Sequence, residues 1–156
     1  MLKKILSPKT CAACRLCCGF DRTDLWELPV LPAETVAEIH RLGKQPALVP
    51  AGTEQTFAAP HLEGEALFVC PMLCETGCTM GADKPFDCRI WPFRMMRDPE
   101  GALRITVASY CPGMQKYTDA QLRNFLADGL AAQILAYAEA HPAHVKAWSP
   151  EYRVIW

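Results

Sequence analysis

The sequence predicts an α+β fold: a small single domain over residues 1–156 with a cysteine cluster, a short hairpin and a long C-terminal helix. Three observations lead to this prediction. Residues 119–140 carry an apolar stripe at helical spacing, and residues 90–108 contain two short strand patterns around a turn. The third observation is that nine cysteines are gathered in a few short stretches of the chain.

The first predicted helix begins at Pro32 and ends at Gly43. Its apolar residues are Val36, Ile39 and Leu42. Residues 45–65 hold three prolines and two glycines without a sustained period, which predicts a loop with a short extended piece at 47–49. Residues 66–69 are an apolar strand candidate that leads directly into a group of cysteines.

The second half of the chain predicts a hairpin and a helix. Strand patterns at 94–97 and 103–107 flank the turn sequence 98–101, which contains Pro and Gly. Thr118 and Gln121 have the spacing of a capping box at the start of the long helix. Its apolar stripe consists of Leu122, Phe125, Leu126, Leu130, Ile134 and Tyr137.

Composition and charge make several partners poor candidates. The formal charge is −1 and the Lys and Arg residues are scattered, so we expect no nucleic-acid partner. The longest uncharged run, 105–115, is too short to span a bilayer, and we expect no membrane partner. The apolar stretch at the start stops after Leu6, so no export signal is visible and a cytoplasmic location is predicted. Cytosolic thiols are kept reduced, which favours metal ligation over disulfides.

The first cysteine group is a C-x2-C-x2-C-C run made of Cys11, Cys14, Cys17 and Cys18. A C-x2-C turn lets two sulfurs converge on one centre, and a second such step adds a third, as in ferredoxins. Neighbouring side chains tend to diverge, so Cys17 and Cys18 are awkward ligands for one small ion, and one of them could serve a second centre or remain free. Buried thiols that serve as small apolar residues are the plainer alternative.

The second group is Cys70, Cys74 and Cys78, and the remaining cysteines are Cys88 and Cys111. The C-x3-C-x3-C spacing differs by one residue from the C-x3-C-x2-C of radical enzymes that cleave S-adenosylmethionine, so that chemistry is not predicted. Proline and glycine within the second group indicate turns, which can aim its three sulfurs inward. All nine cysteines are therefore candidate metal ligands, and we expect the groups to converge in the fold.

These motifs resemble the family described as the CxxCxxCC zinc- or iron-chelating domain, which includes flagellin lysine N-methylases. The resemblance covers residues 11–18 and 70–93, with a weaker similarity at 111–113. The family pattern C-x-I-Y-x-x-R-P-x-x-C-R-x-F-P keeps its spacing over 78–92. The chain departs from it at Gly81, Lys84 and Trp91, where the family has an aromatic residue, arginine and phenylalanine. The resemblance implies metal chelation, and its methylase members suggest methyl-transfer chemistry.

Charged and aromatic residues beside the cysteines have a predicted role around the metal. Four thiolates on zinc or on an oxidised [4Fe–4S] cluster leave about two negative charges, which need cations or hydrogen bonds nearby. Arg89 is the candidate cofactor-binding cation, and Lys84 and Arg15 could assist it. Trp91 and Phe93 are expected to form core or to shield the centre.

Other polar residues are weaker candidates. The H-x2-H pair of His141 and His144 lies at the end of the long helix, where the dipole alone favours histidine. Glu75 and Asp87 adjoin cysteines and could act as acid or base, but solvated carboxylates are the more common case.

Three functions stay open at the level of sequence. The first is an iron–sulfur protein with redox or methyl-transfer-type chemistry, which the ferredoxin-like run favours over zinc. The second is a zinc-stabilised module that binds another protein, and the third is metal sequestration or delivery. The chain has no G-x-G pair and no Walker sequence, so nothing predicts a nucleotide cofactor, and whether the chain is catalytic is left open.

Overall fold

The structure is a computed structural model of the chain. It describes residues 1–21, 27–61, 63–64 and 66–156, and for Pro8 and Cys11 the backbone alone. Helices and small antiparallel sheets alternate along these residues, so the predicted α+β class is confirmed. The chain divides into two compact units, one of residues 8–89 and the other of residues 1–7 with 90–156. The prediction of one domain over 1–156 stays a prediction.

In the unit of residues 8–89, the described part of the chain forms short helices and three two-stranded antiparallel sheets. Its helices are α1 Pro8–Cys14, α2 Ala33–Arg41 and α3 Phe86–Ile90, whose last residue belongs to the other unit. Its strands are β1 Gly19–Phe20, β2 Leu48–Ala51, β3 Glu54–Phe57, β4 Phe68–Val69, β5 Leu73–Cys74 and β6 Gly77–Cys78. β1 pairs with β4, β2 with β3, and β5 with β6.

The predicted helix after Pro32 is confirmed as α2. Val36 and Ile39 are buried, and Gly43 adopts a φ of 72° after the helix. The Gly43 N–H donates to the His40 carbonyl at 2.9 Å, which satisfies one of the last carbonyls of the helix.

The segment 45–65 differs from the predicted loop, although residues 62 and 65 lie outside the described residues. β2 and β3 form a hairpin here, and Gly52 in its turn has a φ of 67°. The extended piece predicted at 47–49 is part of this hairpin. The pattern was missed because Pro50 lies within β2, at the position opposite Gln55.

An apolar core holds this unit together. Leu28, Leu31, Ile39 and Phe57 are almost completely buried, and Cys70 and Met72 belong to the same core. Cys18 and Cys78 pack against it. Two of the cysteine groups therefore lie at the edge of the apolar core.

The unit with residues 90–156 contains a three-stranded antiparallel sheet. β7 Phe93–Arg97 and β8 Leu103–Ala108 form the predicted hairpin, with Phe93 opposite Val107, and β9 Tyr152–Val154 adds the third strand. The Asp98 carboxylate fixes the turn, because it accepts hydrogen bonds from the Ala102 N–H and the Arg104 Nε, each at 2.7 Å. The hairpin prediction is confirmed.

The helical segment predicted over 119–140 is confirmed, with an interruption in its middle. α4 spans Asp119–Phe125 and α5 spans Ala131–Ala140, and between them Asp128 and Gly129 leave the helical conformation. Gly129 has a φ of 92°, which glycine adopts without steric cost. The buried residues of the stripe are Leu122, Leu126, Leu130 and Ile134. Among the described residues, none of the helices combines the length and apolarity needed to cross a bilayer.

The capping box at the start of α4 gives a first test of the fold. The Gln121 N–H donates to the Thr118 hydroxyl at 3.3 Å, and the Thr118 N–H donates to the Gln121 side-chain oxygen at 2.9 Å. Thr118→Ala removes one half of this box, so we expect the free energy of unfolding to fall by about 1 kcal/mol in chemical denaturation. Thr53→Ala, in the exposed β2–β3 turn, is the control and should change it by less than about 0.5 kcal/mol. Equal effects of the two substitutions on the free energy of unfolding would contradict a stabilising role of the capping box.

Candidate functional site

The first cysteine group lies on α1 and on the turn that follows it. α1 ends at Cys14, and Arg15 adopts a left-handed conformation with φ 57° and ψ 1°. Residues 16–18 then form a 3-10 turn, in which the Cys18 N–H donates to the Arg15 carbonyl at 2.9 Å. This reversal at Arg15 separates Cys14, which is exposed, from the half-buried Cys17 and Cys18.

Cys17 and Cys18 have neighbouring sulfurs. Their Sγ atoms lie 3.9 Å apart. The expectation that these two side chains diverge is therefore wrong, because they lie in a tight turn and not in an extended strand, where successive side chains point to opposite faces. The two sulfurs are therefore close enough to bind one metal centre.

The pairing of β1 with β4 brings the second group to the first. Gly19 lies opposite Val69 and Phe20 opposite Phe68, so the next position of the ladder joins Cys18 and Cys70. The Cys70 N–H donates to the Cys18 carbonyl at 2.8 Å. Cys70 is only 9% exposed, so this cross-strand pair of cysteines is held at the edge of the core.

The electrostatics of Cys18 identify its neighbours. A hydrogen bond with Cys17 lowers the pKa of Cys18, but the hydrogen bond with Cys70, burial, and the charges of ionised Cys70 and Cys78 together raise it to about 12. We call Cys17, Cys18, Cys70 and Cys78 the inner cluster. Thiols this close resist ionisation together unless a cation balances their charge.

Cys74 and Cys78 lie on the β5–β6 hairpin. In its register Leu73 is opposite Cys78 and Cys74 is opposite Gly77. Gly77 has a φ of 118°, and a Cβ atom added there would lie 3.3 Å from the Ala12 Cβ on α1. The hairpin therefore approaches α1 closely at Gly77.

Arg15 connects the first group to this hairpin. Its Nη2 donates to the Glu75 carbonyl at 2.7 Å, and its Nε donates to the Ala12 carbonyl at 3.3 Å. The pKa of Cys74 is lowered, chiefly by the Thr76 hydroxyl, whose Oγ1 lies 3.3 Å from the Cys74 Sγ, and further by the Arg15 charge. Arg15, one of the two residues expected to assist Arg89 near the thiolates, thus acts on Cys74.

The structure brings residues of the first and second cysteine groups together, and it leaves the convergence of three further candidate ligands untested. The Cys11 side chain lies outside the described atoms. Cys88 is half-buried on α3. Cys111 is buried in the other unit, where its Sγ would lie 3.8 Å from a Cβ atom added at Gly113. For Cys88 and Cys111 convergence stays a prediction.

Among the side chains that the structure describes, no three of Cys, His, Asp or Glu are placed to hold one metal ion. The donor chemistry nevertheless fits a soft or borderline metal. Two thiolates bound to one tetrahedral zinc at about 2.3 Å are about 3.8 Å apart, close to the 3.9 Å between the Cys17 and Cys18 sulfurs. Side-chain rotation in the inner cluster would still be needed to close a site.

Arg89 and Asp87 occupy one short helix; the predicted role of Arg89 stays a prediction, whereas the interpretation of Asp87 changes. Arg89 is exposed, and its guanidinium lies 5.6 Å from the centre of the Phe86 ring, a cation–π contact. Asp87 is only 2% exposed and its Oδ2 accepts the Val30 N–H at 3.0 Å. The interpretation of Asp87 as a solvated carboxylate is wrong, because this buried backbone N–H needs an acceptor.

The histidine and aromatic candidates lie in the unit with residues 90–156. Phe93 is completely buried and stacks on Phe125 with ring centres 6.4 Å apart, which confirms its predicted core role. His141 and His144 both contact the Tyr137 ring, at 4.4 and 4.8 Å between ring centres. These aromatic contacts account for the H-x2-H pair without a metal.

The contact between Gly77 and α1 can be tested with two glycines. Gly77→Ala should cost roughly 2–3 kcal/mol of unfolding free energy, because it combines a strained φ with a clash against Ala12. Gly81→Ala is the matched control, since Gly81 has a φ of 56° and no atom within 4 Å of the added Cβ, and should cost about 1 kcal/mol. Chemical denaturation measures both, and equal costs would show that α1 does not cover Gly77.

Comparison of the chain with protein-family models, with curated proteins and with solved structures finds no match in any of the three. The resemblance to the CxxCxxCC chelating family therefore stays a prediction.

Proposed function

We propose that this chain is a cysteine-cluster metal protein that holds an iron–sulfur cluster, of the [4Fe–4S] type, for redox or methyl-transfer-type chemistry in the cytoplasm. The observation that carries the proposal is the inner cluster, where the thiols of two sequence-distant groups lie together at the edge of an apolar core. Thiolates are the ligands of such clusters. When bound, the cluster supplies one-electron transfer.

The residues around the inner cluster suit a thiolate centre. The apolar core restricts water, and the environment of a cluster sets its reduction potential through burial and hydrogen bonds to sulfur. Arg15 lies next to the cysteine-bearing hairpin and contributes positive charge there. The C-x2-C-x2-C run favours iron–sulfur over zinc.

A zinc-stabilised module that binds another protein is the second candidate. The distance of 3.9 Å between the Cys17 and Cys18 sulfurs supports it, because this separation suits two thiolates on one tetrahedral ion. A role in metal sequestration or delivery draws support from the exposure of Cys14 and from the half-buried Cys74.

Anaerobic purification separates these functions. An iron–sulfur protein is expected to be brown and to contain iron and acid-labile sulfide, which a visible spectrum and elemental analysis measure. A colourless protein with one zinc per chain would favour the module, and a protein without bound metal would end the proposal.

The role of Arg89 as a cofactor-binding cation is tested by Arg89→Met. If its charge acts on the metal centre, the variant should fold normally but hold metal about 10–100-fold more weakly, as is typical when an outer-shell partner is lost. Arg41→Met, an exposed arginine on α2 that pairs with Glu38, is the control and should leave the metal affinity unchanged. Equal metal affinities for the wild type and both variants would show that Arg89 does not act on the metal centre.

Folding and metal retention should be coupled, because gathered thiolates repel one another without a cation. A strong chelator is expected to lower the melting temperature under anaerobic conditions, whereas reductant alone should not. Because ligation needs deprotonated sulfur, falling pH should release the metal as protons compete for the thiolates. Thermal unfolding with a parallel metal assay measures each effect. Destabilisation by reductant and indifference to chelator would point to disulfides instead.

A further inference from the structure

The β5–β6 hairpin carries two cysteines on opposite faces. Residues that lie opposite each other in an antiparallel pair share a face, and successive residues along a strand alternate. Leu73 and Cys78 are opposite each other, and Cys74 is opposite Gly77. Cys78 therefore belongs to one face of the hairpin and Cys74 to the other.

The two faces have different surroundings. Leu73 and Cys78 both pack against the apolar core that contains Cys70. On the other face, the Cβ position of Gly77 lies 3.3 Å from the Ala12 Cβ, so this face lies against α1. Cys78 is thus directed to the side of Cys18 and Cys70, and Cys74 to the side of α1.

Backbone contacts agree with this division. The Leu73 N–H donates to the Cys70 carbonyl at 3.0 Å, so the residue opposite Cys78 is hydrogen-bonded to Cys70. The Arg15 Nη2 donates to the carbonyl of Glu75, the residue after Cys74, at 2.7 Å. Strand register and hydrogen bonds lead to the same grouping.

We propose that Cys17, Cys18, Cys70 and Cys78 share one metal centre and that Cys74 lies outside it. This inference rests on the proposed function and assigns its ligands. Four thiolates complete the coordination of a structural zinc ion and also of a [4Fe–4S] cluster, so the inner cluster needs no further sulfur. The assignment changes the interpretation of the C-x3-C-x3-C motif, since only its first and last cysteines are ligands.

Single serine variants of the full chain test the assignment after anaerobic purification. Cys70→Ser and Cys78→Ser each remove one ligand. Loss of a residue that only contacts a ligand typically weakens metal binding about 10–100-fold, and we expect these two variants to lose more than that. Cys74→Ser is the matched control from the same hairpin, and Cys14→Ser is a control from α1. Both controls should keep the wild-type content of iron, zinc and sulfide per chain.

Alkylation of the wild-type protein gives a second measurement that does not depend on the folding of variants. Iodoacetamide should label Cys74 at the same rate with and without a chelator. Cys17 and Cys78, which are also half-buried, should become reactive only when the chelator removes the metal. Peptide mapping by mass spectrometry assigns the labelled sites.

The outcomes distinguish the two proposals. A wild-type protein that binds metal, with a Cys74→Ser variant that loses it, overturns the ligand assignment and leaves the proposed function intact. The same holds if chelation exposes Cys74 together with Cys78. A wild-type protein that binds neither iron nor zinc overturns both proposals.

Discussion

The hydrogen bond from the Cys70 N–H to the Cys18 carbonyl, 2.8 Å long, continues a ladder of only two residues on each strand. A pair of strands this short is not stable alone, and it closes a long loop at an entropic cost. Apolar packing adds the stability that this short ladder does not provide. Phe20 on β1 is 5% exposed, and Phe68 on β4 contacts the His61 ring edge-on with ring centres 5.0 Å apart. Without this apolar packing the first and second cysteine groups would separate.

The same burial sets the electrostatic constraint on the inner cluster. Removing thiols from water disfavours thiolates, and neighbouring thiolates disfavour one another, so the pKa of Cys18 rises to about 12. Two states satisfy this constraint: neutral thiols within an apolar core, or thiolates balanced by a metal. Small apolar side chains would serve the first state as well as cysteine does. The proposed metal centre corresponds to the second state.

Long elements, and elements bounded by proline, glycine or a capping residue, could be predicted from the sequence. Local sequence signals determine the apolar stripe of residues 119–140 and the capping box at Thr118. The same is true of the helix between Pro32 and Gly43. The strands β1, β5 and β6 have two residues each, too few to show a period, and their partners depend on tertiary packing. β4 lies within the strand candidate at 66–69, but its partner could not be predicted. β9, with three residues, was missed because it is short, whereas the β2–β3 hairpin was missed because Pro50 lies within β2.

The cysteine spacing predicted that all the cysteine groups converge, and the structure brings residues of two of them together, but spacing could not predict how the sulfurs divide. A shift of one residue in the β5–β6 register would place Cys74 and Cys78 on the same face, and the sequence Glu75-Thr76 between the strands does not specify that register strongly. Asp87 shows a similar limit, since its buried partner, the Val30 N–H, is distant in sequence. Spacing gives the number of donors, whereas the fold decides which of them face one another.

The division of the cysteines also bears on the choice between retaining a metal and delivering it. Cys18 packs against the core and Cys70 lies within it, so a metal held there can exchange only if these strands open or a competing thiol reaches the edge of the core. A delivery protein needs ligands that an acceptor can reach, and the exposed Cys14 lies in the part of the unit assigned no metal. Slow exchange suits a cluster used for electron transfer or a structural zinc ion. The burial of the proposed ligands therefore supports retention over delivery.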